Sequence, residues 1–179
     1  MNNRDEQQFL EFYDQYVDKI YRYIFFRVGS EELAKDLTSD AFLKSWQYLN
    51  KEQEAVNGKQ PKGQKQLDNP RAFIYQVARN LIADNYRQKD RAPISLEEIA
   101  DKRIADKTDG PVEQVMLSLE IESVKSALSC LSEDYQEIII WRYLDELEVK
   151  EIAEILEKSE GAVRTLLSRA LANLKKVLK

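Results

Sequence analysis

Apolar residues recur at three- and four-residue steps along most of this chain, the spacing of one helix face. Phe9, Tyr13, Tyr16, Ile20 and Ile24 predict a helix over 6–28. A second helix starts near Ser30, whose hydroxyl can cap the turn while Glu31 and Glu32 meet the positive end of the helix dipole; it runs to about Leu49. Its inner face is Ala34, Leu37, Ala41, Ser45 and Leu49, broadened by Phe42. Asn69-Pro70 pairs a capping residue with proline at the first helical position, opening a third helix to about Lys89, with Ile74, Val77, Ala78 and Leu81 inward. Further helices are expected over 112–131, 132–144, 149–157 and 160–178. Only Glu137-Ile138-Ile139-Ile140-Trp141 reads locally as strand, and it sits inside a longer helical period. The predicted class is all-α.

Two polar stretches interrupt the pattern. Residues 51–68 hold almost nothing to bury and read as an unusually long loop; residues 91–111, punctuated by Pro93, Gly110 and Pro111, read as a flexible linker in which Ser95 and Glu98 can cap a short helix. The expected organisation is a block over 1–90, the linker, and a second block over 112–179, each a small helical domain. Charge sharpens this division. The formal net charge is −5, yet residues 1–90 are neutral. Within the second block, residues 145–157 carry six acidic side chains and one basic, whereas 158–179 carry six basic and one acidic. An acidic total thus hides a basic C-terminal end.

Composition removes much chemistry. The absence of His takes away the usual general base, the commonest zinc ligand and any Ser-His or Cys-His pair. The single Cys130 excludes an internal disulfide and fits a reducing cytoplasm; its apolar helical run predicts a buried thiol. Trp141, with Ile138, Ile139 and Leu144, is assigned to the core of the second block. No apolar run is long enough to span a bilayer, and the N-terminus has no signal-peptide pattern. No cofactor, metal site or catalytic group is expected.

Three polar helix faces remain. In 160–178, Val163, Leu166, Leu167, Ala170, Leu174 and Val177 face inward, while Gly161, Arg164, Thr165, Ser168, Ala172, Lys175 and Lys179 lie opposite. A short helix with apolar Val149, Ile152, Ala153 and Leu156 precedes a tight turn at Lys158-Ser159, the helix-turn-helix arrangement. Arg164 and Thr165 stand where such helices reach base edges; Arg169, Lys175 and Lys176 suit phosphates. The third helix presents Gln76, Arg79, Asn80, Ala83 and Arg87, flanked by Tyr75 and Tyr86. Guanidinium, amide and ring together suit single-stranded nucleic acid. The second helix presents Asp36, Asp40, Leu43 and Gln47, an acidic stripe with an exposed leucine that suits a protein partner. For each stripe the ordinary alternative is a solvated face.

The segments DLTSDAFLKSWQYL and NPRAFIYQVARNLIADNYRQK resemble region 2 of the extracytoplasmic-function sigma factors of bacterial RNA polymerase. LSEDYQEIIIWRYLDELEVKEIAEILEKSEGAVRTLLSRALANLKKVL resembles their region 4. The resemblance covers nearly the whole chain and implies a dissociable initiation subunit, cytoplasmic and monomeric when free. By it, Asp36, Leu37, Asp40, Phe42, Leu43, Trp46 and the neighbouring Gln47 would dock on the clamp coiled coil of the largest core subunit. The helix from Glu160 would read the −35 duplex of promoter DNA. The helix holding Arg79 and Asn80, with the loop before it, would capture a flipped base and the non-template strand at the −10 element. An anti-sigma factor is the implied regulator. The 51–68 loop is longer than the family's, Phe73-Ile74 replaces a frequent Trp-Leu pair, Leu166 and Leu171 stand where further basic residues are common, with Leu171 near the Arg164 side, and Glu157 replaces a frequent glycine.

Two other functions compete. A conventional helix-turn-helix regulator would bind a palindromic duplex tightly by itself and would not need the docking stripe. A metal-dependent hydrolase would need converging carboxylates, and Asp36, Asp40, Asp84 and Asp90 form no ligand pattern beyond helix spacing.

Overall fold

The computed structural model describes residues 3–54, 69–91 and 112–178. Among these residues, seven α-helices run in the order α1 (Asn3–Val28), α2 (Glu31–Glu54), α3 (Pro70–Arg91), α4 (Val112–Ser129), α5 (Glu133–Ile139), α6 (Val149–Leu156) and α7 (Glu160–Val177), with a π-helical turn over Ile140–Leu144 extending α5. No strand occurs among the described residues, and no helix among them is long and apolar enough to cross a membrane. The expected caps form: Ser30 Oγ accepts from the Leu33 N–H at 3.3 Å and Asn69 Oδ1 from the Ala72 N–H at 3.1 Å. Between α1 and α2, Gly29 takes φ 73°, the left-handed geometry that closes a helix end at least cost to glycine. α2 runs to Glu54, so the expected loop loses its first four residues to helix. The rest of that loop, and the linker with its Ser95–Glu98 cap, lie outside the described residues.

α1, α2 and α3 pack on one another around Ile20, Ile24, Ala34, Leu37, Ala41, Phe42, Ile74 and Ala78. α2 approaches closely because its inner face is small. Its two buried hydroxyls are satisfied locally, Thr38 donating to Ala34 O and Ser45 to Ala41 O. The C-terminal helices bury Leu128, Leu131, Ile138, Ile139, Leu147, Ile152, Ile155, Val163, Leu167 and Ala170. These two sets form one continuous core.

The junction is aromatic. Trp141 sits against Tyr23 of α1 and Tyr75 of α3, with ring centroids 5.5 and 6.4 Å away, and all three side chains are fully buried. Trp141 is therefore core, as assigned, and that core reaches into the N-terminal helices as well. This reach explains why Ile138, Ile139, Ile140 and Trp141 are buried consecutively. One helix face cannot bury four successive residues, but a helix covered on two sides can. At Ile140 the ladder widens, the Asp145 N–H bonding Ile140 O, which is the i→i+5 step of a π turn.

Four smaller expectations are revised. Cys130 is exposed, because α4 ends at Ser129 and the inward positions are Leu128 and Leu131. Tyr13 remains exposed, its ring edge on Phe42. Val177 is exposed in the last turn of α7. Leu171 is half-buried against the core rather than on the open side with Arg164.

Candidate polymerase and nucleic-acid interfaces

The α2 stripe is open. Asp36, Asp40, Leu43 and Gln47 are all exposed, and Leu43, a large apolar side chain, shows 53% of its surface to solvent. Behind them Leu37 and Phe42 are buried, so those two support the stripe from inside. Phe9, Phe12 and Tyr13 enclose the Phe42 ring, and Trp46 packs on Phe9 at 4.7 Å. A rigid backing of this kind holds an apolar knob in place without ordering cost on docking.

The α6–turn–α7 unit also forms as the sequence predicts. Glu157 ends α6 in the left-handed conformation (φ 53°), and the Lys158 N–H reaches back to Ala153 O at 3.0 Å. Ser159 then caps α7, accepting from the Ala162 N–H. Glycine is common at such a turn because it has no Cβ, and the departure to Glu157 carries the strain of a left-handed side-chain residue. From α7, Gly161, Arg164, Thr165, Ser168, Arg169, Lys175 and Lys176 all reach solvent. Arg164 pairs with Glu160 at 2.7 Å, but both are exposed and an exposed i,i+4 pair is weak, so a base edge can displace it. At Gly161 an added Cβ would meet only Ser159 Oγ at 4.0 Å. Internal packing therefore does not require glycine there, and its open face admits close approach from outside.

The α3 stripe is different. Tyr75 is fully buried, and burial, helped by the neighbouring Asp145 carboxylate, holds its phenol far above the usual value. This overturns the reading of Tyr75 as an exposed stacking ring. Tyr86 is half-buried, donating its hydroxyl to Arg27 O. Gln76 donates to Glu157 Oε1 at 3.2 Å and Arg79 Nε to Glu137 Oε2 at 3.0 Å. Burial works against the Arg79 charge, but the Glu137 hydrogen bond and charge outweigh it and raise its pKa. Asn80 and Arg87 are exposed, Arg87 pairing with Asp84, and Ala83 is half-buried.

Sequence reasoning missed the residues opposite this stripe. Glu137, buried in α5, accepts from Tyr23 Oη at 3.1 Å as well as from Arg79, and lies 3.7 Å from Arg27. Asp145 is buried where Arg22 Nε reaches it at 3.1 Å. Its burial raises the carboxyl pKa against the opposing pull of Arg22. Arg71 donates to Asp145 O at 2.7 Å and pairs with Glu151 at 3.3 Å; Asn69 donates to Glu154 at 2.9 Å. The acidic run 145–157 was the one visible signal, and nothing in the sequence says what it faces.

Residues 121–174, which include the helix-turn-helix, match the family model for sigma-70 region 4. The whole chain is similar to the RNA polymerase sigma factor YlaC of Bacillus subtilis, 31% identical over 98% of this chain and 94% of that one. This chain belongs to the extracytoplasmic-function sigma factors. It is also 32% identical to the extracytoplasmic-function sigma factor BldN of Streptomyces coelicolor over 93% of its length, although it spans only 58% of that protein. In fold it is similar to the sigma factor RpoE of Bartonella quintana, solved with the anti-sigma factor NepR, with a TM-score of 0.64 at 19% identity over 96% of this chain and 97% of that one. As a sigma factor, the chain serves promoter-directed initiation by RNA polymerase. Sigma factors as a family act by binding rather than by catalysis.

Proposed function

We propose that the chain divides its work as region 2 (1–90), a linker (91–111) and region 4 (112–179). Asp36, Asp40, Leu43 and Gln47, backed by Leu37, dock on the clamp coiled coil of core polymerase. Gly161, Arg164, Thr165 and Ser168 read the −35 duplex, with Arg169, Lys175 and Lys176 on phosphates. Gln76, Arg79, Asn80, Ala83, Tyr86 and Arg87 take the −10 single strand, and Tyr75 joins them only if the C-terminal helices withdraw. Unstacking a base costs a few kcal/mol, so that last step needs the polymerase. The work takes place in the cytoplasm, with a free monomer and no cofactor. An anti-sigma factor, the kind of partner bound to RpoE in the solved complex, is the proposed regulator.

The observation that carries this reading is the coexistence on one short chain of an exposed acidic-apolar stripe on α2 and an exposed basic stripe on the second helix of a helix-turn-helix. A conventional duplex-binding regulator has use for the second only. Reconstitution with bacterial core polymerase and run-off transcription on a promoter library tests it. Initiation that Asp40→Arg abolishes, with folding retained, is the expected result. Tight duplex binding by the chain alone, with neither core binding nor initiation, overturns it.

A further inference from the structure

Among the described residues, the hydrogen bonds and ion pairs that Asn69 and the side chains of the first half of α3 make to the C-terminal half end on acidic residues or their backbone. Asn69 meets Glu154, Arg71 meets Glu151 and Asp145 O, Gln76 meets Glu157, and Arg79 meets Glu137. Four of these five partners come from residues 145–157, the segment of net charge −5. The carboxylates of Glu137, Glu151, Glu154 and Glu157 each meet an arginine or amide suited to a nucleic-acid backbone, while Asp145 offers Arg71 its backbone oxygen and gives its carboxylate to Arg22 of α1. Trp141 covers Tyr75, the one ring of the stripe that is wholly hidden.

We infer that the acidic segment preceding α7, together with Glu137 and Trp141, acts as an intramolecular stand-in for the −10 strand that closes over α3 and keeps the free protein from binding single-stranded DNA. This rests on the reading of α3 as the single-strand site. The seam is built to open. Arg27 Nε, Arg71 Nε and Trp141 Nε1 are buried in it without a hydrogen-bond partner, which a permanent core seldom tolerates. At the Arg79 end the two blocks stand apart around a cleft of about 370 Å³ lined by Arg27, Arg79, Asn80, Arg87, Glu133 and Glu137. Asn80 and Arg87 remain reachable there, a toehold from which an incoming phosphate displaces Glu137. The basic stripe of α7 is outside the seam, so closure silences one DNA surface and leaves the other open.

The test uses the full chain, small-angle scattering for its radius of gyration, and a fluorescein-labelled single-stranded oligonucleotide of randomised sequence. The wild type is expected to be compact and to bind the oligonucleotide weakly. Glu137→Gln with Asp145→Asn should expand the particle and tighten binding roughly tenfold or more, since apparent affinity scales with the open fraction. Glu154→Gln with Glu157→Gln removes two exposed carboxylates at the outer edge of the seam and should shift both readings the same way by less, without endangering the fold. A wild type that is already extended overturns the inference, as do variants that neither expand nor bind more tightly. Variants that expand without any gain in binding sink the reading of α3 itself, and the masking falls with it.

Discussion

The outer faces of α3 and α7 are alike as sequence and opposite as structure. Each follows a capped helix start, each carries arginine with small polar or amide neighbours on one side, and each backs onto an apolar face. Yet Arg164, Thr165 and Ser168 stand in solvent, whereas Tyr75 is buried and Gln76 and Arg79 are held by carboxylates from α5 and the end of α6. Periodicity tells which residues share a face, not whether another part of the chain covers it. Coverage of α3 comes chiefly from α6, which packs along it, with Glu137 of α5 and Trp141 of its π-helical extension completing the lid.

The largest effect separating these faces is expected at the aromatic junction. Trp141→Ala removes a fully buried ring that touches both halves, and should cost about 3–5 kcal/mol in urea unfolding. A loss under about 1 kcal/mol would mean that the two halves are not packed through this ring in solution. On the open face, Arg164→Ala should weaken duplex −35 binding by about 1–3 kcal/mol while leaving the unfolding midpoint unchanged. An equal change in stability would place Arg164 in the fold rather than at the DNA.

Alkaline pH probes the covered face. Burial raises the phenols of Tyr23 and Tyr75 well above the value they have in the unfolded chain, near 10. Below pH 10 both states keep these protons and the stabilisation is complete. Above it only the unfolded chain releases them, so stability falls by about 1.4 kcal/mol per pH unit for each such tyrosine. Denaturation titrations between pH 9 and 11 should show this slope, and Tyr23→Phe should reduce it by one proton. The smallest effect belongs to the turn beside α7. Glu157→Gly relieves a left-handed residue and should stabilise the chain by up to about 1 kcal/mol, offset in part by the lost contact to Gln76.

Much of the molecule was legible beforehand because its signals are local. Ser30 and Asn69 cap their helices as their positions imply, since a capping side chain reaches only two or three residues ahead, and Ser159 at the turn caps α7 in the same way. The α2 stripe is exposed as its spacing requires, because Ala34, Ala41 and Ser45 can only be the close-packed side. Cys130 was misplaced for a local reason too: its apolar run suggested burial, but the helix ends one residue earlier. Tyr75 was misread for a different reason. A helix wheel allots one buried face to each helix, and Tyr75 lies on a second one, covered by Trp141.

The sequence alone determines the helices, their caps, the helix-turn-helix and the three polar faces, because each follows from contacts within a few residues along the chain. It also carries the family, since the two motifs are written in its order of residues. Only the tertiary structure decides that Glu137 and Asp145 meet Arg79 and Arg22, more than fifty positions apart in one case and more than a hundred in the other. Such pairings depend on how two halves dock. Docking is set by the summed burial of Tyr23, Tyr75 and Trp141, a property that no single stretch of the chain possesses.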